Sequence, residues 1–172
     1  LQIKQLTITH KKDFRVILKD FSFVLNPGDK VVLIGEEGNG KSTLLKWIYD
    51  PELIEGYAEA QGERICTGEH PGYLPQELPA EEKEKTVYEY FCGEDAFGMQ
   101  TPRELTHLAG QLKLPTDFFY RDQKMSTLSG GEKVKAQMAR LLMAQPTVLL
   151  LDEPSNDIDI ETLEWLEKLI LE

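Results

Sequence analysis

Apolar and polar positions change period several times along the chain. Leu6 and Ile8 alternate with threonine, and Phe21, Phe23 and Leu25 alternate less regularly with Ser22 and Val24. A period of two predicts strands at both places. Asn26-Pro27-Gly28-Asp29 then has turn chemistry, since proline presets φ and glycine accepts positive values. Val31–Ile34 is an unbroken apolar run, the pattern of a parallel strand covered on both faces. A glycine-rich stretch follows, and Leu44, Leu45 and Ile48 mark one face of a helix.

The middle of the chain reads differently. Between Glu77 and Asp95 seven acids face only Lys83 and Lys85, with Val87, Tyr90 and Phe91 at helical spacing. Thr101-Pro102 is a helix start, with threonine as cap and proline suited to the first turn; Leu105, Leu108, Ala109 and Leu112 form the apolar set behind it. Residues 77–125 are thus expected to form an all-helical subdomain. It is inserted between residues 1–76 and 126–172, which together make an α/β core. In the second part, Gly130–Ala144 predicts a helix and Val148–Leu151 a second buried strand. Glu161–Leu171 predicts a further helix with Leu163, Leu166 and Ile170 on one side. Strand–helix alternation of this kind favours a parallel sheet with right-handed crossovers.

Composition narrows the function. The chain has 172 residues, 19 Lys and Arg against 30 Asp and Glu, and a net charge of −11. That balance argues against broad phosphate-backbone binding, so no direct DNA binding is expected. No apolar run approaches the ~18 residues of a membrane-spanning helix, and no leader pattern opens the chain. Cys66 and Cys92 lie far apart without a CxxC pair, which reads as reduced thiols in a cytosolic protein or as one disulfide. The first residue is Leu1 and Glu172 falls inside a helical pattern, so a fragment of a longer protein is expected.

Three segments carry chemistry. Gly35-Glu36-Glu37-Gly38-Asn39-Gly40-Lys41-Ser42 fits G-x-x-x-x-G-K-[ST] between a predicted strand and a predicted helix. Glycines let successive backbone amides curl around a phosphate, and the helix N-terminus points its positive end at the same anion. Lys41 adds a full charge, and Ser42 offers a hydroxyl to Mg²⁺. Val148–Leu151 next delivers Asp152 and Glu153 to the carboxyl end of a strand, where ligands of open α/β sheets bind. Asp152 suits the metal and Glu153 the polarising of an attacking water; a solvated Asp-Glu-Pro turn is the plain alternative. Leu128-Ser129-Gly130-Gly131-Glu132 opens a helix with a capping box, and its bare amides make a second anion-binding surface.

In order and spacing these segments resemble the ATP-binding cassette (ABC) ATPases, over nearly the whole chain. The resemblance includes the phosphate loop at 35–43, Tyr73-Leu74-Pro75-Gln76 like the family's Q-loop, and the signature Leu128–Glu132. It extends to Asp152-Glu153-Pro154 and to Ser155-Asn156-Asp157-Ile158-Asp159, like the D-loop. It implies an α/β fold of the P-loop NTPase type: a mostly parallel sheet, N-terminal antiparallel strands and the inserted helical subdomain. It implies a Mg²⁺-dependent ATPase that binds ATP through Gly35, Gly38, Asn39, Gly40, Lys41, Ser42 and Thr43, with Phe14 stacking on adenine. Ser42, Gln76 and Asp152 would serve the metal, and Glu153 and Gln76 catalysis. Ser129, Gly130 and Gly131 would meet ATP held by a second cassette, and Asp159 would couple the two sites.

The Leu-Ser-Gly-Gly-Glu-Lys form, Tyr-Leu-Pro-Gln-Glu at 73–77 and Asn156 are similar to the ABC-F branch. That branch implies a cytoplasmic protein acting on the ribosome. The alternative is the nucleotide-binding subunit of a membrane transporter, partnered by a transmembrane domain protein. Leu128 follows Gln76 by 52 positions, too few for the coiled coil of chromosome-maintenance ATPases. Two features depart from the family. Glu36 and Glu37 put two carboxylates in the phosphate loop, which should weaken anion binding unless both point into water. His10, His70 and His107 all precede the signature, so the switch histidine and its strand are expected to be missing and the piece to hydrolyse ATP weakly.

Overall fold

Where apolar spacing is local and regular, the elements form close to the expected residues. The computed structural model describes residues 1–154 and 158–171. They form two compact units, Leu1–Tyr73 with Pro146–Asp152, and Leu74–Gln145 with the residues from Glu153 onward.

In the first unit, β1 (Gln2–His10), β2 (Val16–Val24) and β3 (Ala58–Ile65) form an antiparallel sheet in the order β2-β1-β3, with Ile8 opposite Leu18 on one side and Ala60 on the other. Ile3, Leu6 and Ile8 are all buried although Ile3 and Leu6 lie three apart. A register shift between them, with Gln5 at φ 50°, returns the period of two to the same face. That face packs on α1 (Lys41–Tyr49) through Leu44, Leu45, Trp47 and Ile48, and on α2 (Glu52–Glu55) through Ile54. Arg64 of β3 donates to the carbonyls of Ile48 (2.7 Å) and Tyr49 (3.0 Å), a cation satisfying the C-terminal end of α1. The β3 strand is not marked by the sequence pattern, because Gly62 and Arg64 stand where the alternation begun by Ala58 and Ala60 needs apolar residues.

The parallel part of the sheet is small. β4 (Pro71–Leu74) and β5 (Val148–Leu151) pair as two strands. Val31–Ile34 departs from expectation: it forms no strand, and its four side chains are 49, 80, 37 and 94% exposed. An apolar run states what a segment needs, two covered faces and a hydrogen-bonding neighbour. It does not supply the neighbour, and no described strand pairs with it. For the same reason β5 is less buried than expected, with Leu150 inside and Leu149 38% exposed.

The second unit is helical: α3 (Ala80–Lys83), α4 (Val87–Cys92), α5 (Asp95–Gly98), α6 (Pro102–Gln111), α7 (Gly130–Met143) and α8 (Ile160–Leu171). Capping boxes start three of them, Thr86 with Glu89, Thr101 with Glu104 and Ser129 with Glu132. Phe91, Phe118 and Phe119 are fully buried, with Phe91 edge-on to Phe119 at 4.9 Å. Arg140 of α7 locks onto this lobe. Its guanidinium pairs with Glu82 (2.6 Å) and Glu94 and lies 4.8 Å over the buried Tyr90 ring. Burial pushes the Tyr90 phenol up to about 12. Cys66 and Cys92 are both free thiols.

Candidate nucleotide site

The phosphate-loop segment runs from Gly35 into α1. Gly40 caps that helix at φ 82°, and a β-carbon there would lie 2.1 Å from Ile17 Cγ2, so only glycine fits. Gly38 also has positive φ, 79°. Beyond them the amides of α1's first turn have no helical partner, and no acid sits in that turn. Lys41 Nζ donates to the carbonyls of Gly35 (2.9 Å) and Glu36 (3.1 Å), so its ammonium curls over the loop. Glu36 and Glu37 are exposed, so the two carboxylates that depart from the family pattern stand in water.

Asp152 sits at the end of β5 and is 2% exposed. Ser42 Oγ donates to its Oδ1 and the Tyr73 hydroxyl to its Oδ2, each at 2.9 Å. The fold thus joins Ser42 to Asp152 across 110 residues. Burial and the neighbouring Asp152 carboxylate push the Tyr73 phenol far above its usual range, so it stays a donor. Among the described residues no Lys, Arg or His pairs with Asp152. A buried carboxylate held only by neutral hydroxyls lacks a counter-charge. One carboxylate and one hydroxyl fit Mg²⁺, which takes few protein ligands and keeps phosphate and water oxygens. No cluster of three His, Cys, Asp or Glu that could cage a metal occurs among the described residues.

Thr43 follows Ser42 in α1 and its Oγ1 accepts from the Tyr57 hydroxyl at 3.4 Å. Phe14 lies in the β1–β2 turn at φ 54° and is 80% exposed, so it is no core residue. The turn is pinned by Asp13, which accepts from the Arg15 amide (3.2 Å) and bonds His10 Nδ1 (2.9 Å). The Arg15 amide and His10 hold the Asp13 carboxyl below its usual value.

In the second unit, Gln76 Nε2 donates to Glu153 Oε2 at 3.1 Å across 77 residues. Glu153 has φ 47°, a left-handed conformation that costs a residue with a β-carbon ~1–2 kcal/mol. Ser129 is exposed at the start of α7, its amide and hydroxyl both donating to Glu132 at 2.9 Å. Gly130 is half-buried and Gly131 buried. A β-carbon on Gly131 would meet Thr162 Oγ1 at 2.6 Å and Asp159 Oδ2 at 2.9 Å. Asp159 in turn accepts from the Thr162 amide (2.8 Å) and hydroxyl (3.2 Å) at the start of α8. The D-loop residues Ser155, Asn156 and Asp157 lie outside the described residues.

Sequence reasoning did not single out Tyr73 as a partner of Asp152, or Thr162 as a neighbour of Gly131. Neither has a local signal, since each partner is reached only through the fold.

A loop cradling a helix N-terminus, with a hydroxyl and a buried acid at its side, defines the P-loop class of nucleotide-binding proteins. A family model described as ABC transporter matches residues 18–156, and the chain belongs to that family, whose cassette domains bind and hydrolyse ATP. It is 35% identical over 169 residues to the ATP-binding protein Uup of Escherichia coli, covering 95% of this chain and 25% of that one. It is 34% identical to ABC transporter F family member 2 of Arabidopsis thaliana, covering 93% of this chain and 23% of that one. It is also 34% identical to the energy-dependent translational throttle protein EttA of Haemophilus influenzae, covering 91% and 34%. The chain therefore spans about a quarter to a third of the curated relatives it matches. A solved structure of a candidate ABC transporter ATP-binding protein from Pyrococcus furiosus superposes with a TM-score of 0.73 at 24% identity, covering 99% of this chain and 83% of that one. The branch read from the signature, from Tyr73–Glu77 and from Asn156 is the branch that the Arabidopsis thaliana relative carries in its name. No described helix is long and apolar enough to cross a membrane.

Proposed function

We propose that this chain is a Mg²⁺-dependent, ATP-hydrolysing cassette of an ABC-F-type protein that works in the cytoplasm on the ribosome. The observation that carries the ATPase reading is the Ser42–Asp152 contact beside the first turn of α1, a hydroxyl and a buried carboxylate that no Lys, Arg or His pairs with among the described residues. In this reading the amides of Gly38, Asn39 and Gly40 and those of Lys41, Ser42 and Thr43 bind the phosphates, and Phe14 offers its exposed ring to adenine. Lys41 exchanges the carbonyls of Gly35 and Glu36 for phosphate oxygens. Ser42, Asp152 and Gln76 would hold Mg²⁺, which when bound neutralises charge on the phosphates. Glu153, oriented by Gln76, accepts the proton of the attacking water. Ser129, Gly130 and Gly131 face ATP on a second cassette, in the same chain or another, and Asp159 links the two sites. The residues grouped as 1–76 with 126–172 form the ATP-binding core, and 77–125 the helical subdomain that passes the motion on.

The ribosome reading rests on relatives, among them one named as a translational throttle, and on the Glu132 form of the signature. Co-sedimentation of the longer natural protein with ribosomes tests it. With Glu153→Gln and ATP, the protein should pellet with ribosomes and be released when ATP is left out. No ATP-dependent pelleting, together with capture by a membrane-domain partner, would favour the transporter alternative.

A further inference from the structure

The second unit carries a groove of ≈ 940 Å³ that the nucleotide chemistry does not use. One wall is α6, contributing Arg103, His107, Leu108 and Gln111; the other is α8, contributing Trp165, Lys168 and Leu169. The end of α7 adds Leu142 and Met143. The indole N–H of Trp165 donates to the Gln111 carbonyl at 3.0 Å, which ties the two walls together. Side chains at i, i+4, i+5 and i+8 on one wall and i, i+3 and i+4 on the other leave a floor of leucine, methionine and indole.

The rim has the opposite sign to the chain. Arg103, His107 and Lys168 line it, and none of the three has an ion pair or hydrogen bond among the described residues. That is unusual in a chain with 30 acids against 19 Lys and Arg. The one acid in the lining, Glu104, already accepts from the amide and hydroxyl of Thr101 at 2.7 Å each. Apolar floor and unpaired basic rim call for a ligand with the reverse pattern. α6 is 10 residues long, so the groove runs ~15 Å, room for nearly three turns of a docked helix.

We infer that this groove docks an amphipathic helix of a partner protein, with apolar residues at i, i+3 or i+4 and i+7 and Asp or Glu on both flanks. Nucleic acid fits less well. Its phosphates would meet Arg103 and Lys168, but it has no aliphatic groups for the leucine floor, and Trp165, 8% exposed, offers little face for stacking.

The chain has two tryptophans, and Trp47 is buried in the first unit, so Trp47→Phe leaves Trp165 as the sole reporter. The probe is a capped synthetic helix of about 16 residues with leucines at the stated spacing and glutamate flanks. Its controls are the same helix with lysine flanks and a single-stranded oligouridine. The glutamate helix should change Trp165 emission saturably and bind at least about tenfold tighter than either control. Arg103→Glu with Lys168→Glu should weaken it about tenfold or more, and so should added salt. Calorimetry on the chain with Trp47 intact repeats the measurement if Trp47→Phe unfolds. Equal binding of the two helices, tighter binding of the RNA, or unchanged binding by the charge-reversed chain would overturn the inference. So would a Trp165 signal that changes on dilution without any peptide, since it would make the occupant a second copy.

Discussion

Gly131 has no room for a β-carbon, and the atoms in its way belong to Thr162 of α8 and to Asp159 just before it. Gly131→Ala should cost ~1–3 kcal/mol in urea unfolding, the range for overpacking. Thr162→Ala should recover part of that loss in the double variant, because the two positions touch. Lys41→Ala should abolish ATP binding by titration calorimetry, since the ammonium is the one full charge on the loop that attracts phosphate. Asp152→Asn makes a sharper test of the metal: it should remove the difference in ATP affinity between Mg²⁺ and EDTA. It should leave the fold intact, because the amide oxygen still accepts from one of the two hydroxyls while the amide N–H donates to the oxygen of the other. At this scale the sequence was informative about residue types and nearly silent about partners. The glycine, lysine and serine of the loop follow a local pattern. The junctions Ser42–Asp152 and Gln76–Glu153 span 110 and 77 residues; the first was reached only by assigning both residues to one metal, and Gln76 only through a family resemblance.

Elements that begin with a capping box were legible, since the signal lies within four residues; Thr101-Pro102 and Ser129–Glu132 each begin a helix where expected. Thr101→Ala should lose ~1 kcal/mol of stability by the same unfolding measurement. The box also has a pH signature. The Thr101 hydroxyl and amide hold the Glu104 carboxyl below 4.5, and Thr86 does the same for Glu89. A carboxyl lowered in the folded state contributes stability that is fully present above 4.5 and fades as pH falls through the lowered value. Urea midpoints should therefore hold from neutral pH to about 4.5 and decline below it, and Glu104→Gln should flatten that decline. Arg140 holds α7 to the lobe by two carboxylates and an aromatic face, so Arg140→Met should cost ~2–4 kcal/mol, less than a fully buried pair. Arg140→Lys keeps the charge but not the fork, and should fall between. β3 and the groove between α6 and α8 were not legible, since each is defined by what packs across it.

On the scale of the whole molecule, two tendencies oppose each other. The chain carries −11, which keeps copies apart. Val31–Ile34 presents four aliphatic side chains to water without a described strand beside them, a template on which another backbone can pair. Ionic strength acts on the first and not on the second, because mobile ions screen like charges over a Debye length but do not wet an isoleucine. Salt, the usual remedy for a sticky acidic protein, should here promote clumping. Sedimentation velocity should find the chain monodisperse in dilute buffer and heavier as salt is raised, with Val32→Lys and Ile34→Lys suppressing the change. A preparation meant to stay single should accordingly be kept dilute and nearly salt-free.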